Sequence, residues 1–184
     1  MVRHVAERSD VIPVLAELFR ENGYEATSLA LIGAATGLGK GSLYHFFPGG
    51  KEEMARAVLA EIDLWFETRI FQPLEQNGDA RAAIAAMFDE VSVYFRSGRR
   101  VCLVGVLALG HVRDRFAETV QGYFTRWCQA LATALHRSGC ELARAILLAE
   151  EIVAGIQGAI VLARALDDPG VFARCIARLR ALAV

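Results

Sequence analysis

The sequence predicts an all-α fold of about nine helices, and three observations carry that prediction. Apolar residues recur at helical spacing in every long segment, no period-2 run of useful length is present, and glycines and prolines fall between the periodic segments. With 184 residues, 54% of them apolar, the chain can bury a real core.

Val11, Val14, Leu15, Leu18 and Phe19 follow the i, i+3, i+4, i+7 rule for a first helix with one buried face. Pro13 is comfortable only in a first turn, so a late start or a kink is expected near residue 10, with Ser9 or Asp10 as cap. Asn22-Gly23 closes this helix. Thr27 or Ser28 caps a short second helix carrying Leu29, Ile32 and Ala35, which Gly37 breaks, and a third short helix follows from about Gly39 to Phe46. After the turn Phe47-Pro48-Gly49-Gly50, Lys51-Glu52-Glu53 opens a long helix that Pro73 should end or bend, with Met54, Val58, Ile62, Trp65 and Phe66 on one side. Further helices are expected near 79–97, 100–112, 114–138, 141–166 and 169–182, punctuated by Gly98, Gly139 and Gly170, with Asp168-Pro169 as a cap and first turn. The chain thus divides into a small head, residues 1–50, and a larger body, 51–184.

Composition excludes several classes. No stretch of 18 or more apolar residues lacks a charge, and Met1-Val2-Arg3-His4 has no apolar signal core behind it, so a cytoplasmic location is expected. Cys102, Cys128, Cys140 and Cys175 are widely spaced, without a Cys-x-x-Cys pair or a histidine cluster, so neither a metal nor a cofactor is expected. Glu150-Glu151 and Asp89-Glu90 suggest paired carboxylates, but adjacent helical residues point about 100° apart and share no site, which argues against catalysis.

The formal charge of −1 gives no global pull toward nucleic acid, and over residues 1–51 five basic residues are offset by five acidic ones. The distribution matters more: between Ala26 and Gly50 there is no Asp or Glu, while Lys40 and His45 fall inside that stretch and Lys51 follows it. Two short helices joined at Gly37 and braced by a longer one match a helix-turn-helix, whose second helix enters the major groove of DNA. A reading helix needs small residues where backbone approaches the duplex and donors where base edges sit. Gly39 and Lys40-Gly41-Ser42 supply both. Tyr44, His45 and Lys51 can donate to flanking phosphates, and the start of the second helix at Thr27-Ser28 offers backbone amides to another. A positive charge at a helix start is mildly unfavourable, which favours a phosphate as the partner of Lys51.

Gly23-Tyr24-Glu25-Ala26-Thr27-Ser28, followed by Ala35-Thr36-Gly37-Leu38-Gly39-Lys40-Gly41-Ser42-Leu43-Tyr44-His45-Phe46-Phe47, resembles the amino-terminal domain of TetR-family repressors over roughly residues 8–60. The glycine pair in Phe47-Pro48-Gly49-Gly50-Lys51-Glu52-Glu53 resembles the branch containing lincomycin- and flavonoid-responsive repressors. Leu31 stands where that family usually has Asp, and Gly39 where Ser or Pro is commoner. The resemblance implies a homodimer, a double-stranded DNA operator as partner, and a body that binds a small-molecule effector whose arrival releases DNA. It also makes the last two helices the dimer interface, for which Gly155, Gly158, Ala159, Leu162 and Ala163 are candidates. Candidates for the effector pocket are Trp65, Phe66, Phe88, Tyr94, Phe95, Cys102, His111, Tyr123, Trp127 and Gln157, aromatic and polar residues suited to a lipophilic or aromatic ligand. Cys102 reads as a buried, inert thiol. A different class of function, a small-molecule carrier with weak DNA affinity, is compatible with the near-neutral head and would show a flat salt dependence of DNA binding.

Overall fold

The structure is a computed structural model that describes residues 7–183; Met1-Val2-Arg3-His4 lie outside that range. Among the described residues the regular structure is helical throughout: α1 (Arg8–Ala26), α2 (Leu29–Thr36), α3 (Lys40–Phe46), α4 (Gly50–Phe66), α5 (Ala80–Tyr94), α6 (Leu103–Leu109), α7 (Ala117–Arg137), α8 (Leu142–Ala165) and α9 (Pro169–Leu182). The run of α4 continues through a π-helical stretch, Glu67–Phe71, into a last α turn, Gln72–Glu75, and a 3-10 turn, Arg113–Phe116, precedes α7.

Two compact units form. The first contains residues up to 64 together with 103–119, and the second contains 65–102 and 120 onward. Packing therefore groups α6 and the 3-10 turn with the head, where α6 lies against α1. In the first unit Val11, Leu15, Phe19, Ile32, Leu43, Phe47, Met54 and Val58 are fully or almost fully buried. The second is built on buried faces of α5, α7, α8 and α9, and α8 packs along α9. By length and composition α8 could cross a bilayer, but Ala145, Ala149, Ile152, Ile156 and Ile160 are buried within the protein.

Several ends differ from expectation. Neither Ser9 nor Asp10 caps α1; the helix starts at Arg8 after Glu7, which makes no side-chain cap bond. Pro13 sits in the second turn with helical backbone, and the one interruption inside α1 is Gly23 (φ 74°, ψ 168°). Pro73 acts on the turn before it. Its ring crowds the carbonyl four residues back and it cannot donate to the ladder, and the wider π turn immediately N-terminal accommodates both. α5 stops at Tyr94 because Arg96 and Ser97 adopt left-handed backbone (φ 49° and 54°). Gly98 follows at φ 86°, where an added Cβ would lie 2.7 Å from the Phe172 Cβ and 2.9 Å from that of Ala163. Only glycine fits that approach.

Candidate nucleic-acid interface

The turn between α2 and α3 is held from both sides. Gly37 takes the left-handed cap position (φ 72°), and its amide donates to the Gly33 carbonyl at 2.9 Å. The buried Thr36 hydroxyl donates to the Ile32 carbonyl (2.8 Å) and accepts from the Leu38 amide (3.3 Å). A Cβ at Gly33 would come within 3.0 Å of the Leu38 carbonyl oxygen, so this glycine answers to the turn itself.

Leu43 anchors α3 in the core, leaving Lys40, Gly41, Ser42, Tyr44 and His45 exposed. Gly39 caps the helix in extended backbone without a side-chain bond. A Cβ at Gly39 or Gly41 would meet nothing within 4 Å. Glycine inside a helix costs about 1 kcal/mol relative to alanine. At Gly41 neither internal packing nor a positive φ requires glycine, so the fold itself does not account for it. The Lys40 ammonium lies 5.9 Å from the Tyr44 ring centre and adds positive charge to the same surface.

The positions flanking α3 divide. Ser28 caps α2, its Oγ accepting from the Leu31 amide at 3.1 Å. Thr27 is a correction: it is fully buried, and its hydroxyl donates inward to the Gly23 carbonyl (2.6 Å), so it holds the α1–α2 junction and presents nothing to a partner. Lys51 is corrected in part. Its ammonium donates to the carbonyls of Tyr24 (2.9 Å) and Glu25 (3.1 Å), so the charge that is misplaced at the start of α4 is well placed at the end of α1. Tyr24, Ser28, Tyr44, Gly50, Lys51 and Arg115 line a concavity of about 530 Å³ in this unit. Sequence reasoning missed Arg115, because no local pattern links the 3-10 turn to residues some ninety positions earlier.

In the second unit most pocket candidates form one aromatic cluster around Phe66. Its ring centre lies 4.9 Å from those of Tyr94 and Tyr123, 5.1 Å from Trp65, 5.2 Å from Trp127 and 6.4 Å from Phe95. Phe71, not singled out from the sequence, joins at 5.9 Å. Five residues on, an α-helix would turn it about 140° away, and the π stretch brings it back. Phe88 is buried beneath the Arg180 guanidinium (5.7 Å) and Cys102 is also buried. The Trp127 Nε1 and Gln157 Nε2 donors are buried without a hydrogen-bond partner. A concavity of about 500 Å³ in this unit is lined instead by residues including Phe124, Cys128, Ile146 and Glu150, and burial pushes the Cys128 thiol up, with a smaller push from Glu150. His111 is a correction: it is exposed, and it belongs to the first unit.

The interface candidates also divide. Gly155 faces α9, where a Cβ would meet the Leu179 side chain at 2.8 Å, and Ala159 and Ala163 are buried within the subunit, so these three serve internal packing. Gly158 opens on free space, and Leu162 is exposed, as are Leu147 and Val161 along the same helix. Of the acidic pairs, Asp89 bonds to Arg180 and Glu90 lies 3.8 Å from Arg69, so each carboxylate has its own cation.

A helix-turn-helix with an acid-free, glycine-bearing recognition surface defines a DNA-binding transcriptional regulator. Residues 12–58 match the family described as bacterial regulatory proteins, tetR family, and residues 80–178 match the LmrA/YxaF-like transcriptional regulator C-terminal domain. The chain belongs to the TetR family, in its LmrA/YxaF-like group. It is 29% identical over 159 residues to the HTH-type transcriptional regulator LmrA of Bacillus subtilis, covering 84% of this chain and 85% of that one. Identity to YxaF of the same organism, an uncharacterized HTH-type transcriptional regulator, is 30% over 159 residues, covering 84% and 83%. A TetR-family regulator from Agrobacterium tumefaciens shares the fold, with a TM-score of 0.81 at 20% identity over 95% of each chain.

Proposed function

We propose that this regulator is a homodimeric repressor, held on a palindromic operator and released when a small lipophilic or aromatic effector binds the C-terminal body. Residues 1–50 supply the helix-turn-helix that serves DNA, and the bulk of 51–184 serves the effector and the partner subunit. The observation that carries the operator contact is Gly41, a helix-destabilising residue with open space before it, flanked by Lys40, Ser42, Tyr44 and His45. Lys40 and Ser42 read base edges, while Tyr44, His45 and Ser28 grip phosphate. In the second unit the Phe66 cluster supplies apolar surface, and the Trp127 and Gln157 donors supply hydrogen bonds for an acceptor-bearing ligand. Leu147, Gly158, Val161 and Leu162 give the outward line of α8 for a second subunit.

Release requires the effector to bind the DNA-free form more tightly, by a coupling of about 1–3 kcal/mol. Both tryptophans of the chain belong to the aromatic cluster, so effector binding reports through their fluorescence. Duplexes recovered from random DNA by selection on the protein would be titrated with and without aromatic compounds that change this signal. A compound that binds yet leaves DNA affinity untouched would sink the release mechanism, and a flat salt dependence would favour the carrier reading.

A further inference from the structure

The geometry points to Arg115, on the 3-10 turn that follows α6, as a further contact for the phosphate backbone of DNA; the inference rests on the operator binding proposed above. The concavity it lines also holds Ser28, Tyr44 and Lys51, so four side chains able to donate to an anion converge on one space. Each has capacity left. The Ser28 Oγ accepts from the Leu31 amide, a bond that does not use its own hydrogen. Lys51 donates two hydrogen bonds out of its three protons. Tyr44 is 40% exposed. Arg115 engages through Nη1 alone, with the Tyr24 hydroxyl at 3.4 Å and the Glu52 carboxylate at 3.3 Å, which leaves the N–H groups on Nε and Nη2 outside both bonds.

Charge in the concavity is unbalanced in the direction a phosphodiester would correct. Glu52 is its one acidic lining residue against Lys51 and Arg115, and that carboxylate is already shared with Arg56 at 2.9 Å. The Arg115–Glu52 pair is long, and both side chains are more than 40% exposed, so it is weak and easily exchanged for a stronger bidentate partner. The Arg115 guanidinium also packs 5.6 Å from the centre of the Tyr24 ring, and the Lys51 ammonium lies 4.5 Å from the same centre. Tyr24 thereby holds the two cations beside each other. A phosphate contact reads no base, so Arg115 adds affinity without specificity.

The test is the salt dependence of DNA binding by full-length Arg115→Gln, Arg115→Lys and, as a control for general charge, Arg113→Gln on the same turn. The probes are a duplex selected by the wild-type protein and an unrelated duplex. Arg115→Gln should weaken binding to both equally and make the log–log salt slope shallower by about 0.9, the loss of one phosphate contact. Arg115→Lys should keep the slope, and Arg113→Gln should not change it. A wild-type slope in Arg115→Gln, or an equal loss in Arg113→Gln, overturns the role of Arg115 while operator binding stands. A flat slope in the wild-type protein overturns operator binding itself.

Discussion

The Lys51 ammonium lies 4.5 Å from the centre of the Tyr24 ring and donates to the Tyr24 carbonyl at 2.9 Å, tying the start of α4 to the end of α1. Lys51 is thus a structural cap as well as a candidate DNA contact. Lys51→Ala should lower stability by about 1–2 kcal/mol through the lost charged hydrogen bonds at the end of α1. Tyr44→Phe should lower DNA affinity while changing stability by less than about 0.5 kcal/mol. Denaturant midpoints at unchanged slope, set beside DNA titrations, separate the two effects.

Stability and binding should move in opposite directions at Gly41. Gly41→Ala puts a methyl into open space on a helix and should stabilise the protein by up to about 1 kcal/mol. In the proposed complex the same methyl stands where the duplex approaches, and operator affinity should fall at least about tenfold, within the 1–3 kcal/mol range of a disturbed base contact. Gly33→Ala drives a Cβ to 3.0 Å from the Leu38 carbonyl and should destabilise by about 1–3 kcal/mol. Thermal unfolding of the two variants should therefore shift in opposite senses.

The helix-turn-helix was legible because its signals are local. Ser28 caps α2 and Gly37 supplies the left-handed turn, each acting within a few residues. What stayed hidden depends on distant partners: the carbonyls that Lys51 meets lie 26 and 27 positions earlier, and Arg115 reaches Tyr24 across 91. On α8 the difficulty is different. Its residues are apolar nearly all round, so spacing cannot say that Gly155 packs on Leu179 while Gly158 faces outward. His111 looked like part of the body because it follows the head by some sixty positions, yet packing places its segment in the first unit.

The two faces of α8 give a paired prediction. Leu162→Glu, on the exposed side, should convert the proposed dimer to monomer and weaken operator binding while leaving helix content unchanged. Gly155→Leu, on the buried side, forces a branched side chain into Leu179 and should destabilise the subunit by about 1–3 kcal/mol. Sedimentation measurements on folded Leu162→Glu decide the first claim; an unchanged mass would refute it.

Acid should weaken the second unit in a defined window. The Arg126 guanidinium hydrogen-bonds the Glu75 carboxylate and holds its carboxyl below the ordinary 4.5. Asp168 is held low by Arg174 and then by the Gly170 amide. A carboxylate with a depressed value stabilises the fold while ionised, so its contribution is present above the ordinary value and fades as pH falls through the depressed one. Thermal midpoints should thus decline below about pH 4.5. Glu75→Gln should flatten part of that decline and cost about 1 kcal/mol or less at neutral pH, since the pair is about one-third exposed. An identical acid profile in Glu75→Gln would count against this origin.

The π-helical stretch at Glu67–Phe71 is an α-helix carrying one residue more than its ladder needs. Pro73, which follows it, cannot sit in an unbroken α ladder, and the extra residue delivers Phe71 to the ring of Phe66. Related chains that lack this proline are freed from that constraint, so a single-residue difference in length should recur at this point of the fourth helix and seldom within its first four turns.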